Sequence, residues 1–173
     1  MWRTNPGAVL LTALPLFHVG GAITHALQQL AAGGTLLVLS AAGWRNKNAM
    51  PSVWKLVERY RVEVLAAVPT VLGAILNVSM EDTDVSSVRT LTGGGSTVPV
   101  PVAEAYKRRF DLEILETYGM TEVSSCHTIS NPARPVYLGS VGHALPYSGV
   151  RVVELDHNGK WVRDCPTGKI GVV

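Results

Sequence analysis

The sequence predicts an α/β fold, doubly wound around a mostly parallel five-stranded sheet, with a C-terminal β-hairpin extension. Three observations carry this. Short, nearly continuous apolar runs recur at 8–17, 35–39, 62–68, 85–92 and 112–115, as expected of strands buried on both faces of a parallel sheet. Stretches with helical apolar spacing lie between them, the mark of β-α crossovers. After about residue 130 the character changes to Gly, Pro and alternating valines. There Asp156-His157-Asn158-Gly159 separates 150–153 from 161–162, and Asn-Gly is a strong hairpin signal. Residues 1–130 therefore read as an α/β subdomain, and 131–173 as a β-rich extension, the incomplete start of a β-barrel subdomain.

The elements follow in order. Residues 8–17 form the first strand, and His18-Val19-Gly20-Gly21 turns the chain. Residues 22–32 place Ile23, Ala26, Leu27 and Leu30 at helical spacing toward the core, with Gln28 and Gln29 on another face. Gly33-Gly34 stops that helix, and 35–39 is the second strand. Beyond a polar loop at 41–50, Pro51 suits a first helical turn, with Val53, Trp54, Val57 and Tyr60 along one side. The third strand, 62–68, leads to a helix opened by Pro69, with Val71, Leu72, Ile75 and Leu76 inward. The fourth strand, 85–92, ends in Gly93-Gly94-Gly95-Ser96-Thr97. Ser96 or Thr97 can cap the next helix, and Pro99 and Pro101 suit its start. Val102, Tyr106 and Phe110 share one side of that helix; Glu104 and Arg108, four apart, make a favourable helical pair on the other.

Composition bounds the function. At 173 residues the chain is long enough for one domain with a real core. It is 47% apolar and 16% charged, against about 25% charged for an ordinary soluble domain, so some apolar surface is expected to face other protein. A net charge of +2 is too small to suggest nucleic acid. Lys107-Arg108-Arg109 reads as a solvated helix face. The two cysteines, Cys126 and Cys165, lack zinc-site spacing and read as free thiols. No run resembles a signal peptide or a membrane span, and a cytoplasmic location is expected.

The stretch most loaded with chemistry is Glu116-Thr117-Tyr118-Gly119-Met120-Thr121-Glu122. It follows the fifth apolar run, and ligands of open α/β sheets bind beyond the carboxyl ends of strands. Tyr118 can stack on a planar base or sit in the core. Thr121 can bond a phosphate oxygen or a turn backbone. Glu122 can hold Mg²⁺, which needs only one or two carboxylates beside substrate phosphates, or can simply be solvated. Gly93, Gly94 and Gly95 either let a ligand lie against backbone or make a tight strand-helix turn. His18 either lines a channel or is structural. No Gly-Lys-Ser/Thr P-loop, dinucleotide fingerprint or Gly-x-Ser-x-Gly elbow is present.

Five elements occur together and in order: Leu14-Pro-Leu-Phe-His-Val-Gly-Gly21, Val88-Arg-Thr-Leu-Thr-Gly-Gly-Gly95, Glu116-Thr-Tyr-Gly-Met-Thr-Glu122, Gly139-Ser-Val-Gly142 and Thr167-Gly-Lys-Ile-Gly171. Together they resemble the adenylate-forming enzymes, which include acyl-CoA synthetases, luciferases and peptide-synthetase adenylation domains. The first element leans toward fatty-acyl-CoA ligases. The resemblance implies ATP, CoA and a small carboxylic acid as substrates, with Mg²⁺. It implies that Gly93, Gly94 and Gly95 line the adenine and acyl pocket, and that Glu116, Thr117 and Tyr118 surround the adenine, with Tyr118 on its face. Thr121 would contact the AMP phosphate and Glu122 would ligate Mg²⁺. Phe17 and His18 would border the acyl or pantetheine channel, and Gly142 the acyl pocket.

The family's Ser/Thr/Gly-rich phosphate loop ending in Pro-Lys-Gly does not occur in this sequence. Its ribose-gripping Asp and the domain bearing the catalytic Lys would lie past Val173, and Thr167-Gly168-Lys169 stands where Thr-Gly-Glu is common. The chain is therefore expected to be a central piece of a longer synthetase, inactive alone and prone to self-association as a homodimer or through a swapped β segment. Two other readings stay open: a non-catalytic nucleotide-binding or assembly module, and an aryl- or amino-acid-adenylating domain that loads a carrier protein.

Overall fold

The computed structural model describes residues 5–173. Five parallel strands form the frame: β1 (Val9–Thr12), β2 (Thr35–Val38), β3 (Val64–Ala67), β4 (Thr90–Gly94) and β5 (Ile114–Met120). Two antiparallel strands, β6 (Ser125–Ile129) and β7 (His143–Ala144), extend the sheet to the order β2-β1-β3-β4-β5-β6-β7. The expected hairpin stands apart as β8 (Val153–Leu155) and β9 (Trp161–Asp164). Its turn is made by the Asp156 carboxylate, which accepts the Asn158 and Lys160 N–H groups at 2.9 Å each, and by Gly159 at φ +77°.

The crossovers explain the double winding. A π-helical segment (Gly20–Leu27) running into α1 (Gln28–Ala31) joins β1 to β2. Helices α2 (Val53–Tyr60), α3 (Pro69–Ile75) and α4 (Val100–Phe110) join the next strands. Strand side chains alternate between faces. Leu11 and Leu65 join Val53, Trp54, Leu72 and Tyr106 in the larger core, whereas Leu10, Val64 and Ala66 meet Ile129 on the opposite face. Trp54 is the largest buried side chain; its indole N–H donates to the Val78 carbonyl at 3.1 Å, and its ring lies 5.5 Å from Phe110.

Three local expectations are corrected. The first helix turns the other way: Gly21, His25 and Gln29 are buried, while Ile23, Leu27 and Leu30 are exposed. Gln29 reaches the Ala8 carbonyl at 2.7 Å, and a Cβ on Gly34 would collide with the Gln29 amide, so this polar side chain is locked beneath the strand. Helix α4 begins after Pro99 with no side-chain cap, so neither Ser96 nor Thr97 caps it. Strand β5 runs on through Thr117, Tyr118 and Gly119, because β6 offers it a partner that local periodicity does not reveal.

Two buried polar groups brace the frame. Glu116 is 4% exposed; its carboxylate accepts the Val98 N–H at 3.1 Å and the Gly139 N–H at 3.3 Å, tying both neighbouring loops to β5. His25 Nδ1 and the Thr12 hydroxyl share a bond of 2.7 Å beneath the first crossover. Burial pulls the His25 imidazole down to about 4, so it is neutral at pH 7.

Glu116→Ala removes the shared acceptor and strands two backbone donors, one of them in the core. A loss of about 3 kcal/mol is expected, with Glu116→Gln losing roughly half as much, measured as urea midpoints at constant slope. For His25 the folded value lies below the unfolded one. The unfolded chain therefore takes up a proton first as pH falls. Stability should decline between about pH 6.5 and pH 4 by roughly 3 kcal/mol. Urea titrations across that range should show a shallower decline for His25→Asn, which keeps an acceptor near the Nδ1 position.

Candidate functional site

The strand order reverses between β1 and β3, and such a switch point opens a crevice at the strands' carboxyl ends. A cavity of about 380 Å³ occupies it, within the range of small-molecule sites. Leu14 follows β1, Ala67 ends β3 with Val68 just beyond it, and Thr92 to Gly94 end β4 with Gly95 just beyond it. Thr117 and residues 119–122 contribute from β5 and the turn after it. The π-helical segment adds Thr24 and His25, and β6 adds Ser125 and Cys126.

The three glycines divide their work. In β4, a Cβ on Gly93 would lie 2.9 Å from Val98, and one on Gly94 would lie 2.3 Å from the Thr117 hydroxyl. These two let β4 and β5 close up. Gly95 has φ +84°, and its nearest neighbour, a Val68 methyl, is 3.7 Å away. Its backbone takes a conformation that side-chain-bearing residues resist.

The structure brings together seven of the residues singled out in the sequence: His18, Gly93, Gly94, Gly95, Thr117, Thr121 and Glu122. Thr121 and Glu122 sit exposed at the mouth, in a single turn of 3₁₀ helix. His18 Nδ1 accepts the Gly20 N–H at 3.0 Å, starting the π-helical segment. Four do not line the cavity. Glu116 is committed to the loop contacts described above. Tyr118, half-buried, lies on the other side of β5 from Thr117. Phe17 is 94% exposed, beside His18. Gly142, at φ +81°, is pressed against the Ile129 carbonyl, where a Cβ has no room.

Sequence reasoning missed the inner wall: Thr24, His25, Thr92, Ser125 and Cys126. The four-residue spacing of Gly21, His25 and Gln29 was the available signal, a polar stripe that proves to be the sheet-facing side. Burial pushes the Cys126 thiol up, and its Sγ donates to the Thr128 carbonyl at 2.9 Å. It stays a protonated thiol, unsuited to nucleophilic attack. Among the described residues no three His, Cys, Asp or Glu side chains gather as a metal cluster. Glu122 with the nearby hydroxyls is an oxygen set suited to Mg²⁺ that shares its remaining positions with water and phosphate. A phosphate bound beside this carboxylate needs a cation between them, so the donor chemistry fits that ion.

The chain is similar to known proteins along nearly its whole length. A marinolic acid–CoA ligase of Pseudoalteromonas sp. (strain SANK 73390) is 36% identical over 165 residues, 95% of this chain and 25% of that protein. A long-chain-fatty-acid–CoA ligase of Yersinia pestis is 31% identical over 169 residues, 96% of this chain and 28% of that protein. The chain thus spans about a quarter of the length of these curated relatives. Among solved structures, apo MatB from Rhodopseudomonas palustris matches with a TM-score of 0.81 at 27% identity, over 98% of this chain and 32% of that one. The ATP-bound form of MatB gives the same TM-score at 26% identity, over 98% and 31%. The family model described as AMP-binding enzyme matches residues 1–172. With the glycine turn, the Thr121-Glu122 mouth and the switch-point cavity in the same chain, the match is one of architecture as well as sequence: this chain belongs to the AMP-binding enzyme family.

Proposed function

We propose that the chain is part of an ATP-dependent acyl-CoA synthetase, an acid–thiol ligase acting on a carboxylic acid, most simply a fatty acid. The observation that carries this reading is the convergence of Gly95, Thr117, Thr121 and Glu122 on one cavity at the strands' carboxyl ends. In the first step a carboxylate oxygen attacks the α-phosphorus of ATP, and pyrophosphate leaves. In the second the CoA thiol displaces AMP from the acyl carbon, giving the thioester. Both steps depend on positioning and on charge stabilisation.

In this reading the Thr121 hydroxyl holds an oxygen of the AMP phosphate, and Glu122 holds Mg²⁺. The metal, when bound, offsets the negative charge of the phosphates. The Gly95 backbone lies against the nucleotide. Tyr118, across β5, carries the adenine ring, which then lies over the strand end and outside the cavity proper. His18 and exposed Phe17 border the entry of the acyl chain or the thiol arm. The inner wall suits an uncharged tail: His25 is neutral and bonded to Thr12, and Thr24 is bonded to Ser125. An alkyl chain there breaks none of these bonds. A cytosolic setting follows from the use of ATP and CoA. In the described structure no helix is long and apolar enough to cross a membrane. Strand β2 sits at the sheet edge, which supports self-association through strand pairing.

Calorimetry with a non-hydrolysable acyl-AMP analogue tests the site. Wild type should bind more tightly with Mg²⁺ than without, and Glu122→Gln should lose that difference. Thr121→Ala and Tyr118→Ala should each weaken binding about tenfold, the scale of one charged hydrogen bond or one stacked base. Equal binding by wild type and Tyr118→Ala would remove Tyr118 from the adenine site. Pyrophosphate release, assayed with ATP and a fatty acid, is expected to be absent for the 173-residue chain; acid-dependent release would overturn the proposal that it is inactive alone.

A further inference from the structure

We infer that a pair of hydroxyls, Thr24 and Ser125, positions the Thr121-Glu122 turn for its ligand; the inference rests on the adenylate-site reading above. The turn is built on unfavourable backbone. Immediately after it, Ser124 has φ +67° and Ser125 has φ +139°, regions that residues with side chains rarely occupy and that persist only where surrounding structure enforces them. The chain also folds back tightly on its own strand: a Cβ on Gly119 would lie 2.0 Å from the Ser125 carbonyl oxygen, and the β5–β6 register slips at Tyr118/Gly119.

Something must hold these two serines in place. The Ser125 hydroxyl is bonded to the Thr24 hydroxyl, a residue 101 positions earlier in the chain. Thr24 belongs to the π-helical segment, a rare geometry concentrated at functional sites. That segment is itself anchored. Gly21 packs so closely on the Pro15 carbonyl that a Cβ would lie 2.2 Å away, and His25 is bonded to Thr12 of β1. Neighbouring residues 24 and 25 thus face two different strands. One fastens the segment to the sheet, and the other fastens the turn to the segment.

The consequence reaches the mouth of the cavity. Thr121 and Glu122 are exposed, and the Ser124 N–H closes their turn on the Thr121 carbonyl at 3.0 Å. The Thr24–Ser125 bond fixes the far end of that turn. Neither hydroxyl needs to touch the nucleotide: both are positioning residues that set where the phosphate and metal ligands stand. Breaking the bond lets Ser125 relax toward ordinary backbone and frees the turn from the crossover.

The test compares the 173-residue wild type with Thr24→Val, Ser125→Ala and Thr24→Ser. Amide hydrogen exchange is followed over 121–126, and acyl-AMP analogue binding is measured by calorimetry with and without Mg²⁺. Thr24→Val and Ser125→Ala should each speed exchange in that turn about tenfold and reduce the Mg²⁺-dependent gain in affinity about tenfold, the scale of one hydrogen bond. Thr24→Ser, which keeps the hydroxyl, should restore both. Unchanged exchange in the first two variants overturns the hydroxyl bond as a fastening. Faster exchange with an unaltered Mg²⁺ effect overturns its positioning role. A wild type with no affinity for the analogue overturns the adenylate reading, and the positioning role with it, whatever exchange shows.

Discussion

A buried carboxylate ties strand β5 to the loops on either side of it. Glu116 lies in the middle of β5 and accepts one backbone N–H from the loop before α4 and another from the 131–142 loop. A carboxyl group is costly to bury unless hydrogen-bond donors replace its water. Here backbone groups serve, and each is a group that a loop would otherwise leave unpaired. The next residue but one to either side is an apolar or aromatic member of the same face, so the strand cannot shift without dragging the carboxylate out of its bonds. The position of Thr117 beside Gly94, and of the turn beyond, depends on that fixed register.

The first crossover shows the opposite arrangement of polar and apolar surface. Its buried side carries Gly21, His25 and Gln29, and its exposed side carries Ile23, Leu27 and Leu30. Both outcomes have the same cause. Gln29 and His25 find specific partners on the strands beneath, Ala8 and Thr12, whereas an apolar side chain there would leave those groups unpaired. The aliphatic face is left outward in a chain whose charged content is low. Exposed Tyr137, Leu138, Tyr147, Trp161 and Ile170 extend the pattern into the C-terminal third.

Much of the frame was legible in the sequence because the parallel strands are buried on both sides. Leu10 and Leu11, or Leu65 and Ala66, serve opposite cores, so continuous apolar runs mark them plainly. Pro69 opens α3, and Trp54, Leu72 and Tyr106 sit in the core as their spacing implies. The hairpin was legible through its Asn-Gly turn. What escaped was whatever depends on a distant partner. The strand character of Thr117 to Gly119 comes from pairing with β6, and the burial of Gln29 from a carbonyl twenty-one residues away. The motif residues identified the cavity mouth, since glycine, hydroxyl and carboxylate types there are chemically conspicuous. They did not identify its inner wall, whose Thr24, His25 and Ser125 meet only through the tertiary fold.

That division gives the cavity its chemical grading. At the mouth, Glu122 is exposed, and hydroxyls stand on a turn open to water, where the proposed reading puts phosphate and a divalent cation. Toward the inner wall the Thr24 and Ser125 hydroxyls are bonded to each other, His25 is bonded to Thr12, and Cys126 donates to the Thr128 carbonyl. Burial holds His25 uncharged and Cys126 protonated. A charged tail would enter against desolvation without an ionic partner from these groups, whereas an uncharged acyl chain meets a wall whose hydrogen bonds are already made. In the proposed reading the same strand ends meet two opposing demands, an ionic one and an apolar one, because the switch point sets β3, β4 and β5 on one side of the crevice and the first crossover on the other.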